Sequence, residues 1–242
     1  MSFFVSANAT GAVPCPADTT PSFDLTSTPV IAISSIAVLT TAVSYASVFM
    51  HFRNLEYQRQ QFHIILILLF PAVYTLFSWL SFALWRGAIA ESLLLIRDCY
   101  DAVVIYAFYQ VLLLYIAPTT AGQKAALVPK RISHPFFPRT RIPMDPSRPT
   151  FLSRNKAIVY AFCIGRVLMT FVAIVAEWKG AYCGRINSFK YVHSWYVLVT
   201  FSTLLPAIYA IVTLEGLFSR ELEGKHIMRK LIAVKGILLV IL

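Results

Sequence analysis
IRDCYDAVVIYAFYQVLLLYI, residues Ile96 to Ile116, decides the fold. It holds 21 residues, 18 of them uncharged, and stops just short of Pro118. About 20 mainly apolar residues are what a helix needs to cross a bilayer. Four more runs of that kind flank it: Val30 to Phe52, Phe62 to Trp85 with Pro71 inside, Ala157 to Trp178, and Val192 to Leu217 with Pro206 inside. A bundled membrane helix accommodates such prolines as kinks. The chain is 58% hydrophobic and 13% charged, with a mean hydropathy of +0.68. A soluble domain carries about 25% charged residues, so the sequence predicts an integral membrane protein, all-α and multi-pass.

A sixth apolar run, LIAVKGILLVIL from Leu231, ends at Leu242. Its 12 residues rise about 18 Å as a helix, short of a hydrocarbon core of about 30 Å. The reading is therefore five complete spans and a partial sixth, in a sequence expected to be a fragment. Residues 1–29 form a disordered tail and 30–242 the transmembrane domain. Its spans lie at about 30–52, 62–85, 96–116, 157–178, 192–217 and 231–242, and 117–156 forms a basic, proline-rich loop.

The net charge of +10 does not indicate a nucleic-acid partner, because the basic residues cluster in short stretches between apolar runs. Fourteen of the 21 Lys and Arg fall in the loops after the first, third and fifth spans, and none in the first 29 residues. Cytosolic loops hold the excess of Lys and Arg, which places the amino terminus outside or in a lumen and those three loops in the cytosol. The 117–156 loop, with seven prolines, cannot be one long helix and is expected to lie against anionic membrane lipid. Asn8-Ala9-Thr10 is a glycosylation sequon on the lumenal side. Cys15 and Cys183 fall on that oxidising side, where a disulfide can persist; Cys99 is a competing partner and free thiols are the alternative.

Charged side chains within a span are costly, so each is a candidate site. Arg166 lies near the middle of the fourth span and is expected to face inward, toward Asp101, Glu177 or backbone carbonyls. Arg97, Asp98 and Asp101 open the third span. Asp98 and Asp101 share a helix face, and Arg97 can pair with Asp101 four residues on; the alternative is an interfacial ion pair that solvates a helix end. Lys235 sits near the cytosolic face of the sixth run, where it can snorkel, and Glu215 is expected to reach water. Neither a catalytic motif nor metal-ligand spacing is present in the sequence, so no enzyme activity, metal or cofactor is expected.

The segments HFRNLEYQRQQFHIILILLFPAVYTLFSWLSF and LIRDCYDAVVIYAFYQVLLLY resemble the organic solute transporter alpha family and its transmembrane protein 184 branch. The matching features are the Gln58-Arg59 pair, the Ser78-to-Ser81 run, and the Arg97-to-Ala102 opening with Asp101 in the acidic slot. SHPFFPRTRIPMDPSRPTFL and MRKLIAVKGILLVIL extend the likeness to the end of the chain. The resemblance implies seven spans with the amino terminus outside. The chain departs from the pattern by stopping before an aromatic-Trp-Gln element, by lacking a cysteine cluster in its loop, and by lacking a proline near Arg166. The implied function is movement of amphipathic organic anions or lipid-like solutes, with Arg166 and Lys235 neutralising an anionic head. The alternative is a vacuolar or lysosomal membrane scaffold that recruits cytosolic autophagy or trafficking factors. The expected partners are membrane lipids, a second membrane subunit or further copies of the chain, and a cytosolic trafficking factor. The expected location is an endomembrane or the plasma membrane.

Overall fold
Long uncharged runs in a bilayer must satisfy every backbone N–H and C=O internally, which makes the helix the default. The computed structural model describes residues 28–53, 58–84, 88–127, 150–182 and 189–218. Asn8, Cys15, Cys183 and Lys235 lie outside these segments. The described residues form seven helices and no strand: α1 Thr28–Arg53, α2 Gln58–Leu68, α3 Phe70–Ala83, α4 Ala88–Ile116, α5 Thr120–Leu127, α6 Phe151–Trp178 and α7 Val192–Leu217. Five stretches are long and apolar enough to cross a membrane, with α2 and α3 together making the second. This is the all-α, five-span arrangement expected from the sequence.

The break between α2 and α3 is a single residue. Pro71 has no N–H to give, yet Leu69 N–H still donates to Ile65 O (2.9 Å) and Val73 N–H to Leu69 O (3.0 Å). The axis therefore bends without separating. Polar side chains within the spans bond to the preceding turn, as Ser35 Oγ does to Ile31 O (2.8 Å) and Ser47 Oγ to Val43 O (2.9 Å). This is the standard resort of hydroxyls in an apolar medium.

Two helices begin six or more residues earlier than the apolar runs suggest. α4 starts at Ala88, because Ala88 to Leu95 are good helix formers and Ser92 Oγ back-bonds to Ala88 O (2.5 Å). α6 starts at Phe151, with Arg154 exposed and the Lys156 ammonium 5.5 Å from the centre of the Tyr160 ring. The earlier start of α4 moves Arg97, Asp98 and Asp101 from the mouth of a helix to its middle.

α4 is the central element. It packs against α2, α3, α5 and α6; α7 packs on α6, and α1 lies outside against α2 and α3. The main core joins Phe70, Tyr109, Leu112, Val159, Phe162 and Leu214. Small residues ease close approach of the helices: Ala107, Ala173, Ala207 and Ala210 are all wholly buried. The opposite faces are apolar and exposed, for example Leu39 on α1, Phe171 on α6 and Leu205 on α7, as lipid-facing surfaces are.

α4 ends before Pro118, and α5 turns back on it. Gln123 Nε2 donates to Ala117 O (3.0 Å), a carbonyl the helix end leaves free, and to Leu113 O (3.2 Å), which also accepts from Ala117 N–H (3.1 Å). At the other end, α6 stops in a Schellman motif. Gly180, at φ +68°, gives its N–H to Glu177 O (2.9 Å), and Ala181 gives its own to Ala176 O (2.8 Å). Tyr182 then tucks under the bundle, ring against ring with His193 and Tyr196, and burial pushes its phenol well above the ordinary range.

Candidate functional site
An arginine in mid-membrane needs an acid or a set of carbonyls, since on an insertion scale an unpaired one costs about 2.5–3.5 kcal/mol. Arg166 is the sixteenth residue of the 28 in α6, and its side chain is 3% exposed. It points at α4 and α7. Nε donates to Asp98 O (3.2 Å) and Nη1 to Thr200 Oγ1 (2.9 Å). Nη2 lies 3.7 Å from Asp98 Oδ2 and 4.0 Å from Asp101 Oδ2. Those two separations are ionic but longer than hydrogen bonds. The guanidinium also stands 5.0 Å from the centre of the Tyr196 ring, a cation–π distance.

Arg97 has the same kinds of neighbour on the α3 side. Its Nε and Nη2 both donate to Asp98 Oδ1 (2.9 and 2.8 Å), Nη1 donates to Ser78 Oγ (3.0 Å), and the guanidinium stands 5.0 Å from the Tyr74 ring. The Tyr74 hydroxyl donates to Asp101 Oδ1. Each arginine thus has a carboxylate, a hydroxyl and a tyrosine face, and Asp98 serves both.

The sequence-predicted charges therefore meet, with corrections to their pairing. Arg97 pairs with its neighbour Asp98 rather than with Asp101. Of the acids considered for Arg166, Asp101 is in range and is joined by Asp98, while Glu177 lies eleven residues, or about 16 Å, further along α6. The three charges of α4 are not a solvated helix end. Cys99, the competing disulfide partner, is a free thiol within α4, as is Cys163 within α6, whose Sγ donates to Ala102 O at 3.3 Å. Glu215 does not reach water, being 3% exposed. Lys235 falls outside the described residues.

Residues that the sequence reading missed complete the layer: Tyr74, Ser78, Tyr196, Thr200 and Thr170. Their signal was spacing. Tyr74 and Ser78, Tyr196 and Thr200, and Arg166 and Thr170 are each four apart, hence on one helix face. The hydroxyls of Thr170 and Tyr196 are buried; they neighbour each other, and Thr170 also neighbours the Cys99 thiol, but neither makes a well-formed hydrogen bond among the described residues. So the guanidinium has one nitrogen held only by long ionic contacts, in a layer that also holds two buried, weakly held hydroxyls. That combination suits an anionic head group. Among the described residues no cluster of His, Cys, Asp or Glu could hold a metal.

The comparisons fit this membrane architecture. Residues 29–242 match the family described as Organic solute transporter Ostalpha. A Transmembrane protein 184 homolog of Dictyostelium discoideum is 22% identical over 205 residues, covering 84% of this chain and 40% of that protein. The chain thus spans about two fifths of the length of that relative. No solved structure matches. With the family match running through every described helix, the chain belongs to the organic solute transporter Ostalpha family.

Proposed function
We propose that the chain binds amphipathic organic anions or lipid-like solutes at Arg166, as part of a transporter-like membrane protein. The observation that carries this reading is the loosely held Nη2 of a buried arginine, in a layer with the buried hydroxyls of Thr170 and Tyr196. An incoming carboxylate or sulfonate would replace two long contacts with short charge-assisted bonds. The aspartates keep the empty site neutral, so it need not be filled to be stable. The basic loops face the cytosol in this reading, and Lys235 supplies a second cation. Family membership supports transport as the general activity.

The test is uptake of a steroid or bile-acid-like anion by cells expressing the chain, with surface or vacuolar abundance measured alongside. Arg166→Lys keeps the charge but loses the planar fork, and its uptake is expected to fall at least about tenfold at equal abundance. Thr170→Val and Tyr196→Phe, which leave every charge in place, are each expected to raise the half-saturating concentration several-fold. Unchanged uptake in all three variants rejects the site.

A further inference from the structure
The seam between α4 and α6 holds a second polar group that the charged layer does not use. Asn155 is completely buried, and among the described residues neither its Oδ1 nor its Nδ2 has a hydrogen-bond partner; Tyr109, equally buried, has none there for its hydroxyl. The two stand at nearly one level. α4 and α6 run antiparallel through the Arg166–Asp98 and Cys163–Ala102 bonds, then through Tyr106 and Tyr160, whose ring centres are 5.5 Å apart. Tyr109 lies three residues beyond Tyr106, and Asn155 five residues before Tyr160, in the same direction along the bundle. These steps are about 4.5 and 7.5 Å. Leu112, Val159 and Leu214 make the surroundings apolar.

Each buried hydrogen-bonding group left unmet is costly, and Leu and Phe would fill these two positions without that cost. The amide offers a donor and an acceptor, the phenol offers both, and the two do not bond each other. Their complement is one small neutral group that donates and accepts, which describes a hydroxyl. We propose that Asn155 and Tyr109 form a second binding site, for the hydroxyl of a lipid-soluble, otherwise apolar alcohol. Eleven residues of α6, about 16 Å, separate it from Arg166, and it does not depend on the transport reading.

The test uses the full chain in phosphatidylcholine nanodiscs and a diazirine-bearing hexadecanol, with crosslinked peptides mapped by mass spectrometry. The expected result is labelling near residues 109–113 and 151–159, competed by hexadecanol but not by hexadecane. Asn155→Leu is expected to cut that labelling about tenfold and Tyr109→Phe about threefold, as fits the loss of one or two hydrogen bonds. Arg166→Ala is expected to leave it intact, whatever becomes of anion uptake. Labelling that both polar variants retain, or that hexadecane competes equally, overturns the site and leaves a polar pair that holds water or nothing. If Asn155→Leu does not assemble, Tyr109→Phe decides alone, since it removes a single oxygen.

Discussion
The Tyr74 hydroxyl donates to Asp101, whose other oxygen sits 4.0 Å from Arg166. Tyr74→Phe keeps the ring against Arg97 but strips that carboxylate of its hydrogen bond. A buried acceptor left unmet costs about 1–3 kcal/mol. The variant is therefore expected to unfold earlier by that margin in a thermal scan in detergent, whereas removing an exposed residue such as Phe171 is not. At this scale the sequence disclosed the charges and little else. Arg166 is legible because a cation in mid-span has few structural excuses. Thr170, Thr200 and Tyr196 are ordinary in membrane helices, and only their four-residue offsets set them apart. Asp98 was legible as an acid, but its service to two arginines was not, because it depends on how α3 and α6 flank α4.

Two helix ends carry predictions at the next scale. Gly180 closes α6 in a left-handed conformation at φ +68°, with open space where a Cβ would stand. Gly180→Ala is therefore strained by backbone geometry alone, at about 1–2 kcal/mol. The expected sign is faster hydrogen exchange at Glu177 to Ala181, with the Arg166 layer undisturbed. Gln123→Ala would leave the Leu113 and Ala117 carbonyls without their side-chain donor, and α5 should come away from α4 at a cost of about 1 kcal/mol. Limited proteolysis between residues 118 and 127 reads this directly. The existence of the spans was plain from apolar length. Their starts were not, because α6 begins in polar sequence that passes for loop, and Glu91 and Ser92 interrupt the apolar start of α4. Those starts decide whether Arg97, Asp98 and Asp101 sit at the opening of α4 or well inside it.

Across the whole molecule, the distribution of Lys and Arg predicts the orientation. Asn8 is expected to carry a glycan in cells, seen as a mobility shift lost on glycosidase treatment and on Asn8→Gln. Protease added to sealed cytosol-side-out vesicles is expected to cut within residues 128–149. An unglycosylated Asn8 together with a protected loop would reverse the assignment.

The pair of distances from Arg166 to the two aspartates has a mechanical consequence. Asp98 Oδ2 and Asp101 Oδ2 lie nearly a turn apart on α4, yet stand 3.7 and 4.0 Å from the same nitrogen. At an effective dielectric of about 20, the two attractions differ by roughly 0.3 kcal/mol, less than thermal energy. The charge is thus shared almost evenly between two carboxylates, so the register of α6 on α4 is set by the directional bonds of Arg166 Nε to Asp98 O and Cys163 Sγ to Ala102 O, and the ion pairs themselves do little to choose it.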